Sequence, residues 1–272
     1  MRVWHRGEIV DSSRVSVPLE DAVFEHGLGL FETLRTFQGR AVFLEEHLQR
    51  MTNSARVLSL PRVDSVAMPE ERDVAQLLRD LGLRDAILRI TRTAGAEGTA
   101  PMVWMRAAPL PPTSTPSYSV VACPWTIEPE DPLARHKTLN YWQRRLAFAS
   151  AHTKGYHEAF LHDSDSIIWE GSRTNVFAVI GDRLVTPPQL GPIVPGIMRQ
   201  AVINFARGVV DMKERVLHWR ELANATEIFL TNSVRGVLPV AKVEGPTRWT
   251  VPGETPITEE LQRRLAQFVR GS

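Results

Sequence analysis

The sequence predicts an α+β protein of two unequal lobes, a small α/β N-terminal lobe over residues 1–108 and a larger β-rich lobe over 118–272. Three observations carry this expectation. Strand-like and helix-like segments are mixed before residue 108, four prolines fall within Pro109–Pro116, and short strand-like runs with tight polar turns dominate the chain beyond residue 117. The prolines preclude a regular helix or a central strand, so 109–117 is expected to link the lobes.

In the first lobe, Arg2–Val10 and Leu30–Phe37 alternate as strands do, Glu45–Leu60 and Pro69–Leu81 carry helical periodicity, and Ala86–Arg92 alternates again. The second lobe opens on the apolar, β-prone Tyr118–Pro124. A helix is expected from about Leu139 to Lys154, stopped by Gly155. His157–His162, Ser166–Trp169, Thr174–Ile180 and Arg183–Thr186 then read as short strands joined by turns such as Gly181-Asp182, which favours antiparallel hairpins. Ile197–Gly208 is helical, Glu227–Asn232 a strand and Glu259–Val269 an amphipathic helix.

Composition excludes several functions. Lys and Arg number 32 against 31 Asp and Glu, a net charge of +1, so no polyanionic partner is indicated. The pairs Arg144-Arg145 and Arg263-Arg264 lack interleaved aromatic residues and read as solvated helix faces, not a nucleic-acid surface. The single cysteine, Cys123, cannot form an intramolecular disulfide, and MRVWHRGEIVDSS has no apolar stretch of signal-peptide length. A reducing, cytoplasmic setting is therefore expected. No window of 18 apolar residues is present, so no membrane span is expected. The pair Gly27-Leu28-Gly29 lacks the third glycine and following helix of a dinucleotide fingerprint.

Four features are candidates for chemistry. Lys137, flanked by Arg135 and His136, fits either a solvated loop lysine or a Schiff-base nucleophile whose neutral form neighbouring cations favour. Glu170, between two strand-like runs, fits a turn glutamate or a carboxylate holding a cationic ring nitrogen. The segment Gly191–Arg199 opens a helix on Pro195-Gly196, where free N–H groups can bind water or a phosphate. Arg50 can clamp a phosphate or pair with Glu46, four residues before it.

Taken in order, FETLR (Phe31–Arg35), EEHLQRM (Glu45–Met51), KTLNY (Lys137–Tyr141), EGSRTNVF (Glu170–Phe177), PGIMRQ (Pro195–Gln200) and FLTNSVRGVLPV (Phe229–Val240) resemble the fold-type IV pyridoxal-phosphate enzymes, the class IV aminotransferases. That family includes branched-chain and D-amino-acid aminotransferases and aminodeoxychorismate lyase. The resemblance implies a pyridoxal 5'-phosphate cofactor and amino transfer between an amino acid and a keto acid through a Lys137 Schiff base. Lyase chemistry that eliminates pyruvate is the alternative, and a homodimer is implied.

Residue by residue, the resemblance gives Glu170 to the ring nitrogen and Arg50, Ile197, Met198 and Ser233 to the phosphate. Asn175 supports the site or only the strand. Tyr141 fits the cofactor's phenolic oxygen or the core, because KTLNY is one residue shorter than the branched-chain motif. Alternation puts Phe31, Thr33 and Arg35 on one strand face, which by resemblance faces the substrate, with Arg35 either on its carboxylate or in a sheet-edge ion pair. His26 and Arg92 fit the substrate side or structural roles equally. Thr93–Thr99 carries neither the arginine and histidine of D-amino-acid members nor the RGY-like arginine of several lyases.

Overall fold

The computed structural model describes residues 1–63, 68–96, 100–112 and 116–271. It divides into two compact units, Met1–Pro112 with His136–Tyr141, and Thr113–Arg135 with Trp142–Ser272. Of the expected linker, Thr113–Thr115 lies outside the described residues, as does Glu97–Thr99 of the Thr93–Thr99 segment.

The first unit contains β1 (Arg2–His5), β2 (Glu8–Asp11), α1 (Ala22–His26), β3 (Gly29–Phe37), β4 (Arg40–Ala41), α2 (Leu44–Val57), α3 (Glu71–Leu81), β5 (Ala86–Thr93) and β6 (Val103–Pro109). Its six strands run in the order β2-β1-β6-β5-β3-β4, all neighbours antiparallel. The expected strand Arg2–Val10 is two strands, because Arg6 (φ 50°) and Gly7 (φ 85°) take left-handed backbone and reverse the chain. Strand β6 was not expected. It ends on Pro109, paired with Ala86, so the proline that signals a linker closes a strand. Leu30, Leu34, Leu88, Ile90 and Met105 bury one sheet face against Leu44, Met51 and Ala55 of α2 and Val74, Leu77 and Leu78 of α3. The other face carries the residues of opposite parity.

The second unit contains β7 (Tyr118–Ala122), α4 (Trp142–Thr153), β8 (Glu158–His162), β9 (Ile167–Gly171), β10 (Asn175–Ile180), β11 (Arg183–Thr186), α5 (Ile197–Ala206), β12 (Asp211–Glu214), β13 (Leu217–His218), β14 (Ala225–Asn232), β15 (Gly236–Glu244), β16 (Trp249–Thr250) and α6 (Pro256–Gly271). The ten-stranded sheet runs β12-β11-β10-β14-β15-β7-β8-β9-β13, with β16 on β15. Strands β9 and β10 are joined by three residues yet stand five places apart in that order, so the sheet curls to bring them together. The hairpins β8/β9 and β10/β11 are antiparallel, as their turns favour, while β7/β8, β15/β7 and β11/β12 pair in parallel. Strand β15 was not expected, and Pro239 lies within it, opposite Phe229 of β14. Its register with β7 shifts between Val240 and Lys242. The expected helix from Leu139 begins instead at Trp142.

Candidate active site

The delay of α4 has a local cause that also seats the lysine. Phe31 N–H donates to the Lys137 carbonyl at 2.9 Å, Leu139 N–H donates to the Gly29 carbonyl at 2.9 Å, and Leu30 bridges Thr138. Backbone groups that a helix would have used are satisfied by β3, so Lys137–Leu139 runs as a short added strand of the first unit. His136 Nδ1 lies 3.0 Å from Ser54 Oγ on α2. Gly29 permits the approach, since a methyl there would collide with the Leu139 side chain and the Arg92 carbonyl.

Lys137 Nζ stands 4.5 Å from the centroid of the Phe31 ring and 5.3 Å from that of Tyr141, and the two rings meet edge to face at 5.1 Å. Among the described residues no carboxylate pairs with this amine. Arg89 brings a second cation to the same ring, with Cζ 3.8 Å from the Phe31 centroid. The register of β3 with β5 sets Thr33 opposite Arg89 and Arg35 opposite Ile87, and Arg106 of β6 adjoins Arg89. Phe31, Thr33, Arg35, Arg89 and Arg106 thus share the face turned away from Leu30 and Leu34. The Arg35 Nε is buried and without a hydrogen-bond partner. Sequence reasoning missed Arg89; its signal is visible only once the cross-strand register is known.

Two expected residues are not brought to this face. His26 ends α1 with its side chain 64% exposed, 3.7 Å from Glu25. Arg92 has the parity of Leu88 and Ile90, is buried on the core side and donates to the Pro61 carbonyl. Burial there pushes its guanidinium pKa down.

Arg50 is held by Glu32, with Nε 2.8 Å from Oε1 and Nη2 2.5 Å from Oε2. His47 Nδ1 is 2.7 Å from Glu32 Oε2. Burial raises the Glu32 pKa, but Arg50 and then His47 more than offset it and hold the carboxyl down at about 2. For His47, burial dominates the attraction of Glu32 and lowers the pKa, so the ring is neutral at pH 7. Glu32 carries no local signal of this role, because helical spacing directs attention to Glu46, four residues along, as the partner of Arg50.

On the second unit, Glu170 is buried at the end of β9. Oε1 accepts from Arg144 Nη2 at 2.5 Å and from Val194 N–H at 3.2 Å; Oε2 accepts from Asn175 Nδ2 at 3.3 Å. Asn175 Nδ2 also donates to the Val194 carbonyl at 3.1 Å. Arg144 is therefore not a solvated residue of α4: its side chain is 12% exposed and ion-paired. The turn after Glu170 is gathered by buried Glu158, which accepts from the N–H groups of Ser172 and Arg173 and the hydroxyls of Ser172 and Thr174.

Helix α5 starts at Gly196 with no side-chain cap, leaving the first-turn N–H groups of Ile197 and Met198 without one. A methyl at Gly196 would collide with Asn175 Oδ1. Thr231, opposite Asn175 across β10 and β14, has a buried Oγ1 with no hydrogen-bond partner. Ser233 follows in the turn that Asn232 Oδ1 closes by accepting from the N–H groups of Val234 and Arg235. An uncapped helix start, a glycine with no room for a methyl and an orphaned hydroxyl fit an anionic group such as a phosphate. Sequence reasoning favoured Ser233 and passed over Thr231.

The sequence matches the amino-transferase class IV family over residues 29–243. It is 29% identical to the branched-chain-amino-acid aminotransferase of Salmonella typhimurium, over 89% of this chain and 85% of the relative. It is equally similar, at 29%, to the bifunctional aminodeoxychorismate lyase / D-amino acid transaminase of Mycobacterium tuberculosis, over 88% of this chain and 90% of that one. A hypothetical aminotransferase from Mycobacterium tuberculosis in its PLP-bound form superposes with a TM-score of 0.84 at 26% identity, covering 98% of each chain. The chain belongs to the class IV aminotransferase family, the pyridoxal-phosphate enzymes of fold type IV. Among the described residues no helix is long and apolar enough to cross a membrane.

Proposed function

We propose that this enzyme transfers an amino group between an amino acid and a keto acid, with Lys137 binding the cofactor aldehyde and moving the proton at the substrate Cα. The observation that carries the reading is the setting of Lys137, an amine held against two aromatic rings with no acid partner among the described residues. When bound, pyridoxal phosphate supplies a ring that accepts the electron pair released as Cα loses its proton. Glu170, steadied by Asn175, holds the ring nitrogen. Arg50, the N–H groups of Ile197 and Met198 and the hydroxyls of Ser233 and Thr231 take the phosphate.

Arg35 and Arg89 bind the substrate carboxylate on the face lined by Phe31 and Thr33, supported by two guanidinium groups on Lys137's side of β3 and the unpartnered Arg35 Nε. His26 and Arg92 have no part in this reading, one standing in solvent and the other turned to Pro61. Tyr141 packs beside the lysine and keeps water from it. The family resemblance supports a homodimer as the working form, and the single buried cysteine supports a cytoplasmic setting.

The test supplies single D- and L-amino acids, without a keto acid, to protein loaded with pyridoxal phosphate. One equivalent of keto acid per site is expected from one enantiomer, and none from Lys137→Ala. Pyruvate release from aminodeoxychorismate, with no donor turned over, would replace amino transfer by the lyase reaction.

A further inference from the structure

Resting on the role given above to Glu170, we propose that Arg144 shares that carboxylate with the cofactor's ring nitrogen and holds the ring short of full protonation. Glu170 is a buried anion with two cations to serve. Arg144 Nη2 is 2.5 Å from Oε1 and the same guanidinium donates to the Ala134 carbonyl at 3.2 Å, so it is seated by two acceptors and does not swing freely. A largely enclosed guanidinium at that distance draws on the negative charge a ring N–H would otherwise receive in full.

Glu170 is also held by groups other than Arg144. Val194 N–H reaches both carboxylate oxygens, at 3.2 and 3.3 Å, and Asn175 Nδ2 holds Oε2. Removing the arginine therefore changes the charge on the carboxylate more than its place. The other charged groups nearby are engaged elsewhere: Glu158 gathers the turn after Gly171, and the Arg173 guanidinium lies over the Phe148 ring at 3.3 Å. Arg144 is thus a positioning and charge-tuning residue, acting through Glu170.

The experiment compares the parent protein, Arg144→Met and Arg144→Lys, each loaded with pyridoxal phosphate labelled with 15N in the ring, by the ring-nitrogen chemical shift at one fixed pH. Cofactor dissociation constants are measured alongside. The parent is expected between the neutral and protonated limits, Arg144→Met displaced toward the protonated limit with tighter cofactor retention, and Arg144→Lys displaced the same way by less. Where Arg144→Met fails to fold by circular dichroism, the lysine variant carries the comparison. An unchanged shift in the folded variants, or displacement toward the neutral ring, overturns the proposal while leaving the role of Glu170 intact. A parent protein that binds no pyridoxal phosphate, or a Glu170→Gln variant whose ring shift equals the parent's, overturns the underlying reading itself.

Discussion

At the scale of single residues, the Glu32, His47 and Arg50 cluster sets the acid response of the first unit. Glu32 titrates near 2 in the folded protein, well below an ordinary carboxyl, because Arg50 and His47 outweigh its burial. A folded-state pKa below the unfolded one stabilises above the unfolded value and is lost as pH falls toward the folded one. The Glu32 contribution, on the order of 3 kcal/mol, is expected to disappear between roughly pH 4.5 and pH 2. His47 acts in the same direction from higher pH: its lowered pKa makes folding less favourable once the unfolded chain protonates below about 6.5. Urea unfolding as a function of pH checks both, with stability expected to fall from pH 7 downward in two stages. Glu32→Gln leaves Arg50 beside an uncharged partner and is expected to cost about 3 kcal/mol at pH 7, while flattening the lower stage.

At the scale of elements, Lys137 is placed by a strand edge. Gly29→Ala puts a methyl where Leu139 and the Arg92 carbonyl sit, so the Lys137–Leu139 segment must move off β3. We expect a loss of about 1–3 kcal/mol of stability and a drop in kcat larger than any change in KM, read from steady-state kinetics beside thermal melts. On the second unit, Glu158 has the corresponding duty, because its carboxylate satisfies the turn that connects Glu170 to Asn175. Glu158→Ala strands buried donors and is expected to cost about 3 kcal/mol and weaken cofactor retention; Glu158→Gln, which keeps one acceptor oxygen, recovers part of both. Cofactor release during dialysis distinguishes this from simple destabilisation. Gly196→Ala, crowding Asn175 at the start of α5, is expected to weaken phosphate-dependent binding with pyridoxal phosphate more than binding of the phosphate-free aldehyde.

At the scale of the whole molecule, the chain leaves the second unit at His136 and returns to it at Trp142. The short segment between them completes the first unit's sheet while both of its flanks belong to the second unit. That segment is a sheet edge of the first unit, so Leu139→Ala is expected to lower and broaden that unit's transition in calorimetry. A transition unmoved by Leu139→Ala would show that the added strand contributes little to the first unit's stability.

The sequence by itself determined the motifs, their order and therefore the family, because chemistry such as a lysine, a strand-end glutamate and a proline-glycine helix start is written in local residue types and spacing. Alternation along Phe31–Arg35 was legible for the same reason, since a strand's period is local. Only the tertiary structure decided which partners those residues meet. That Arg50 belongs to Glu32, that Arg144 belongs to Glu170 and that Arg89 shares the Phe31 ring with Lys137 depend on register between segments 18 to 58 residues apart. The start of α4 was misread because backbone hydrogen bonding to β3 overrides helical periodicity, and no window of neighbouring residues contains that competitor.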